Sequence, residues 1–190
     1  MSAASARLVS PAAAYKASYI DAVCEYIREG HRDLWDPEIL RANFAEYLQT
    51  LRDKESAPLA GMVPATLYWL ILPGGIYAGE LDLRHVLNED LRRFGGHIGY
   101  SIRPSLRRRG YGRLICRLGI QAARARGIGD IRITCDEDNI ASRKIIEANG
   151  GELLDIINAG QRALTRRYWL RAAVSTAQAP EAQPAPPPMR

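Results

Sequence analysis

The sequence predicts a single α/β (α+β) domain, a mixed central sheet flanked by helices, and three observations predict it. At 190 residues and 21.1 kDa the chain is the size of one compact domain. Its 47% apolar and 25% charged residues are those of an ordinary globular protein, which excludes a wholly disordered, fibrous or membrane-embedded chain. Two helical stretches come first, then paired strands, then segments that switch between period two and period 3.6.

Ser18 to Glu29 sets Ile20, Val23, Cys24 and Ile27 at helical spacing. Pro37 to Leu51 does the same with Leu40, Phe44, Tyr47, Leu48 and Leu51, behind Asp36 as N-cap and Pro37 as first helical residue. Ala65 to Leu72 reads as a buried strand, stopped by Pro73-Gly74-Gly75, and Ile76 to Arg84 follows as its hairpin partner. After a polar loop at Asn88 to Arg93, the stretch His97 to Arg103 alternates Ile98, Tyr100 and Ile102 against His97, Gly99 and Ser101, and Pro104 ends it. From Gly112 the period lengthens: Leu114, Leu118, Ala122 and Ala125 share one face of a helix that runs to Arg126 and stops at Gly127. Ile131, Ile133 and Cys135 then share a strand face, and Asn139 caps a short helix closed by Gly150-Gly151. Glu152 to Ile157 and Ala163 to Leu170 are the last strands, joined through Ala159-Gly160.

Ala172 to Arg190 holds five of the eleven prolines and one bulky aliphatic, Val174. That is too little apolar surface to offset the entropy of ordering it, so residues 172–190 are expected to form a disordered Ala/Pro-rich tail on a folded domain at 1–171. The most apolar stretch, Leu59 to Ala78, is broken by Pro64, Pro73 and Gly74-Gly75, so no membrane span is expected. The N-terminus lacks the basic and apolar regions of a secretory signal. Cys24, Cys116 and Cys135 are odd in number, with no C-x-x-C and no His at ligand spacing. The expectation is a cytoplasmic protein with free thiols and no metal.

Between Ile102 and Arg132 stand nine arginines against one acid, Asp130, a local charge of +8 on a chain of net +5. A concentrated basic patch on a mildly acidic body fits one anionic ligand rather than general nucleic-acid coating. Its centre, Ile102-Arg103-Pro104-Ser105-Leu106-Arg107-Arg108-Arg109-Gly110-Tyr111-Gly112, lies where a strand hands over to a helix. Backbone amides and the helix dipole converge there on an anion, so the segment is suited to phosphate. It has no G-x-x-x-x-G-K-[ST], and Ile115 stands in place of the third glycine of G-x-G-x-x-G, so neither a P-loop nor a dinucleotide fingerprint is present.

The segment closely resembles the acyl-CoA loop of the GNAT superfamily of N-acetyltransferases, whose signature [QR]-x-x-G-x-[GA] reads here Arg107-x-x-Gly110-x-Gly112 behind Ile102-Arg103-Pro104. The resemblance continues through Asn139, Ser142 and Gly150 as that family's N-x-x-[AS]-x-x-x-x-x-x-x-G, and GGHIGYSIRPS, CDEDNIAS and RRYWL look most like a bacterial branch of predicted acetyltransferases. It implies acetyl-CoA as cosubstrate, with no metal, and acetyl transfer directly from the thioester to a primary amine. It further implies that the backbone at Ile102 and Arg103 holds the pantetheine, that Arg107, Arg108, Arg109, Gly110, Tyr111, Gly112 and Arg113 wrap the pyrophosphate, and that Asn139 and Ser142 lie near the thioester.

The family often carries a tyrosine seven residues after the asparagine as acid for the departing thiolate, and this chain has Ile146 there. A thiol of pKa about 8.5 leaves with little help, and Tyr168 or a water is left as a substitute. For the base that deprotonates the amine the candidates are Glu80 and Asp82, which share a strand face, and His97, whose strand the resemblance expects to be bulged. Glu80, Asp82, Glu89 and Asp90 cluster in sequence, which favours a small cationic acceptor.

Two alternatives stand beside this. One is a GNAT-like domain that binds acetyl-CoA without catalysis, as a sensor or interaction module. The other is RNA binding, because Arg109-Gly110-Tyr111-Gly112 matches half of an RNA-recognition signature whose second half fails at Arg113 and Cys116. The expected partners are therefore acetyl-CoA and an amine, not nucleic acid or membrane, with monomer and homodimer both open.

Overall fold

The hairpin of β2 (Ala65–Leu72) and β3 (Ile76–Arg84) is the centre of the fold and is apolar on both faces. The computed structural model describes residues 6–31, 36–158 and 164–172. β1 (Arg7–Val9) pairs antiparallel with β2, and β4 (Ile98–Ile102) pairs antiparallel with β3, giving the sheet order β1-β2-β3-β4. A second antiparallel sheet places β7 (Thr165–Leu170) between β5 (Ile131–Asp136) and β6 (Glu152–Ile157). The helices are α1 (Lys16–Arg28), α2 (Pro37–Ala42), α3 (Phe44–Ser56), α4 (Tyr111–Ala125) and α5 (Ile140–Glu147).

Residues from α1, α2 and α3 cover one face of the first sheet with an aromatic core: Tyr19 stacks on Trp69 with centroids 4.6 Å apart, and Tyr77 meets both rings edge-on. On the other face α4 sets Leu114, Ile115 and Cys116 against Leu81, Leu83 and Ile98. Gly119 permits that approach, since a Cβ there would fall 2.2 Å from Leu81 Cδ1. Among the described residues no helix is long and apolar enough to cross a membrane.

The limits of β2, β3 and β6 coincide with those expected from sequence, and four differences are informative. Three residues are too few for a periodic signal, so β1 goes unassigned in the sequence. The helix expected over Pro37 to Leu51 is broken at Asn43 (φ −118°, ψ 36°), where a residue that favours local non-helical backbone separates α2 from α3. The expected Asp36 cap is present, its carboxylate accepting the Glu38 and Ile39 amides. The last strand starts at Thr165 rather than Ala163, and the Ala159-Gly160 loop lies outside the described residues, as does the tail from 173 onward.

The fourth difference concerns the bulge expected in the His97 strand. It lies instead in β3: Leu70 faces Gly79 and Ile71 faces Tyr77, so Ala78 has no partner, while the β3–β4 register runs unbroken. The extra residue flips the alternation of β3. Tyr77 therefore shares a face with Glu80 and Asp82, and the remainder of the strand turns Leu81 and Leu83 to α4.

Candidate active site

The two sheets touch where β4 begins. Gly96 bridges Ile133, the His97 amide donates to the Arg132 carbonyl at 2.7 Å, and the Arg132 amide donates to His97 Nδ1 at 2.9 Å. Beyond that contact β4 and β5 part around a cavity of about 290 Å³. Ile98, Gly99 and Tyr100 line one side and Thr134, Cys135 and Asp136 the other, with Asn139 and Ser142 from the start of α5.

The hydrogen-bond parity of β4 decides what its free edge presents. The Arg84 amide donates to His97 and the Arg103 amide donates to Ala78, so the odd-numbered residues of β4 pair with β3. Ile98, Tyr100 and Ile102 therefore aim their peptide groups away from β3. The Ile102 carbonyl accepts Arg107 Nε at 3.0 Å. Of the two residues expected to hold pantetheine, Arg103 has its amide committed to β3, while the peptide group of Ile102, like that of Tyr100, faces outward.

Past Pro104 the chain enters the glycine loop. Arg108 (φ 63°) and Gly110 (φ 84°) are left-handed, and Gly110 is the N-cap of α4. The amides of Tyr111, Gly112 and Arg113 have no acceptor within the helix. A Cβ on Gly112 would fall 2.6 Å from Ile145 Cδ1, so this glycine also allows the close packing of α4 on α5. Tyr111 is buried in the core beneath the loop, which removes the ring that an RNA-recognition surface would present.

The basic patch is less concentrated than its sequence suggests. Arg103 bonds Glu25 through Nε and Nη2 at 2.9 and 2.7 Å, and Arg107 bonds Glu29 at 2.8 Å, so both side chains anchor α1 to the loop. Burial alone would raise the Glu25 carboxyl, but the Arg103 bonds and the Ser105 amide overcome it and bring it down to about 2. Arg126 pairs with Glu55, Arg124 caps carbonyls at Leu170 and Arg171, and Arg132 lies 4.2 Å over the Trp169 ring. Arg113 reaches the Ala148 carbonyl at 3.3 Å. Arg108 and Arg109 are exposed beside the free amides and bond no described residue.

Asn139 Oδ1 accepts the Ser142 amide at 2.9 Å and so caps α5, while Ser142 Oγ lies 3.0 Å from Tyr100 Oη across the cavity wall. Ile146, at the usual tyrosine position, is fully buried in the core. Tyr168 is also fully buried, and its hydroxyl donates to Glu147. Sequence reasoning passed over Tyr100; its place in the 98/100/102 alternation was the available signal.

The three candidate bases stand in different surroundings. Glu80 faces Trp69 on β2 and Ser101 on β4, on the aromatic side of the sheet, and its carboxylate bonds no described residue. Burial pushes it above the ordinary carboxylate range, with Lys54 pulling it back and Asp82 adding to the rise. Asp82 is paired with Arg84 at 3.1 Å, and that guanidinium also bonds the Gly95 and Gly96 carbonyls. His97 is buried, and burial, with Arg132 and Arg84 nearby, brings it down to about 4. Its Nδ1 lone pair is taken by the Arg132 amide, so the neutral ring holds its proton on Nε2 and acts as a tie between sheets.

The buried Ile146 site carries a prediction. Ile146→Tyr should destabilise the fold by about 1–3 kcal/mol through overpacking, without raising any acetylation rate. A Cβ on Gly151 would already lie 2.4 Å from Ile146 Cγ2, so little space is left for a ring. Thermal melting and initial rates check it, and a faster enzyme with an unchanged melting temperature would refute it.

Comparison with known proteins agrees with this geometry. The acetyltransferase (GNAT) domain model matches residues 18–152. A search of curated proteins finds no match. Among solved structures the chain is similar to the RimL ribosomal L7/L12 α-N-protein acetyltransferase in complex with coenzyme A (TM-score 0.64, 16% identity, covering 88% of this chain and 94% of that one). It is similar also to Mycobacterium smegmatis RimJ in complex with a CoA disulfide (TM-score 0.64, 14% identity, 88% and 82% covered). A third is the microcin C7 self-immunity acetyltransferase MccE in complex with acetyl-CoA and AMP (TM-score 0.64, 14% identity, 88% and 92% covered). With 135 of its residues under the family model, in the order of elements described above, the chain belongs to the GNAT acetyltransferase family.

Proposed function

We propose that this chain is an acetyl-CoA-dependent N-acetyltransferase that passes acetyl directly from the thioester to the primary amine of a small cationic molecule. The observation that carries this reading is the pairing of two features across one strand: outward peptide groups of β4 on the cavity, and the unpaired Glu80 carboxylate one strand away. The residues fit the donor. The free amides after Gly110, with Arg108 and Arg109, suit a pyrophosphate, and the outward edge of β4 suits the amides of pantetheine.

In the transfer, the amine nitrogen attacks the thioester carbonyl, the C–N bond forms, the C–S bond breaks and the electron pair leaves on sulfur. Glu80, directly or through one water, takes the proton released by nitrogen. Asp82 keeps Arg84 in place and adds negative potential to the same face. Glu80 among tyrosine rings, with no cation bonded to it, favours a positively charged acceptor. Free thiols at Cys24, Cys116 and Cys135 fit a reducing, cytoplasmic setting.

The test is acetyl-CoA consumption by purified protein across polyamines, aminoglycosides, amino acids and N-terminal peptides, the last because the RimL neighbour is an α-N-protein acetyltransferase. Small cationic amines should exceed neutral ones by about tenfold or more in kcat/KM. A preference for uncharged peptides would replace this acceptor, and CoA binding with no turnover of any amine would leave the non-catalytic module instead.

A further inference from the structure

We propose that the phenol of Tyr100, held by Ser142, is the hydrogen-bond donor to the thioester sulfur and to the thiolate that leaves it. This rests on the acetyl-CoA reading above. Tyr100 is the one tyrosine among the described residues that line the cavity between β4 and β5, and it reaches Ser142 at 3.0 Å. Two hydroxyls carry two protons, and their mutual hydrogen bond uses one. With Ser142 donating within the pair, the phenol's own proton is left to an acceptor in the cavity, which is where a thioester carried along the free edge of β4 would end.

The two positions considered for this donor from the sequence do not supply it. Ile146 has no proton to give, and the Tyr168 hydroxyl is spent on Glu147 behind a fully buried ring. The surroundings also fix how Tyr100 acts. Burial raises it well above the ordinary tyrosine range, with Cys116 adding, the Ser142 bond opposing and Cys135 adding to the rise. A phenol so weak as an acid does not surrender its proton to a thiolate whose conjugate acid has a pKa near 8.5. It donates a hydrogen bond and keeps the proton: the C–S bond breaks, the electron pair rests on sulfur, and the thiolate takes its proton from solvent after release.

The proposal predicts preference for CoA in its thiolate form. CoA affinity should rise about tenfold between pH 6 and 9.5, because a thiol pKa lowered by about one unit on binding is worth that factor. Desulfo-CoA, which has no thiol, should show no such rise. The titratable groups facing Tyr100 stay silent over this range: burial holds the Cys116 thiol up at about 12 and the Cys135 thiol at about 11, and His97 titrates at about 4. Arg84 and Asp136 share the cavity, and any effect of theirs falls equally on desulfo-CoA and is removed by that comparison.

The experiment is calorimetry of CoA and desulfo-CoA on the full chain and on Tyr100→Phe, with steady-state rates. Tyr100→Phe should bind desulfo-CoA like the wild type, lose most of the pH-dependent gain for CoA, and lower kcat about 10- to 100-fold with KM for acetyl-CoA within about twofold. Ser142→Ala, which leaves its own amide capped by Asn139, is the second variant should Tyr100→Phe fail to fold, and it should lose part of the same gain. A CoA gain equal to that of desulfo-CoA overturns the proposal, and so does a gain or kcat that both variants retain. Wild-type protein that binds neither ligand overturns the acetyl-CoA reading and this one with it.

Discussion

Replacing Glu80 by Gln should lower kcat/KM by about 10²–10⁴ while leaving CoA affinity nearly intact. The substitution keeps the shape of the side chain and removes the lone site on β3 able to take a proton without breaking an existing pair, since Asp82 is held by Arg84. The pH dependence follows from the same surroundings. In the wild type kcat/KM rises through the Glu80 ionisation, which burial places above the ordinary carboxylate range. In Glu80→Gln that limb disappears, and the residual rate climbs only as the free amine itself loses its proton. Stability should move the other way. A carboxyl whose pKa is raised in the folded state binds its proton more tightly there than when unfolded, so native stability falls as pH rises through that interval. Glu80→Gln removes this loss and should melt no lower, and at pH 7–8 higher, than the wild type. Wild-type turnover from pH 6 to 10 in the variant would place the base elsewhere or assign it to water. Lost activity with a lowered melting temperature would mean that Glu80 is structural.

Much of this site was legible in the chain because its signals are local. A strand ended by Pro104, glycines at 110 and 112, and a 3.6-residue period from Leu114 lie within one continuous segment, and so do Asn139 and the amide it caps at Ser142. What escaped depends on partners far along the chain. The charge count between Ile102 and Arg132 cannot show that Arg103 and Arg107 are held by Glu25 and Glu29, 78 residues away. A hint was available, since each pair of residues is spaced by four on its own segment. The face occupied by Glu80 was inferred correctly relative to Asp82, but its relation to Tyr77 depends on Ala78 falling out of register, which no composition rule foretells. His97 illustrates the same limit: its role is fixed by the Arg132 amide of the other sheet.

The second large effect is expected at Gly110. Open space surrounds it, with no atom within 4 Å of where a Cβ would stand, so its requirement is conformational, set by φ 84°. Gly110→Ala should therefore cost the fold about 1–2 kcal/mol and leave CoA affinity within about tenfold. Gly110→Asp differs in kind. Aspartate tolerates left-handed backbone better than alanine, and its carboxylate at this position would stand at the start of the helix, competing for the amides of Gly112 and Arg113. Those are the groups a pyrophosphate needs, and the added negative charge stands at the positive end of α4, where the phosphate would lie. The variant should thus fold as well as Gly110→Ala or better and lose CoA affinity by about 100-fold or more. Arg108 and Arg109, which bond no described residue, cannot restore it, because without the amide cradle they offer only exposed, screened charge. Calorimetry of CoA with both variants separates the two effects. A folded Gly110→Asp protein that keeps wild-type affinity would show that the cofactor does not use the start of α4, and a Gly110→Ala protein as defective as Gly110→Asp would show that loop shape, not anion competition, governs binding.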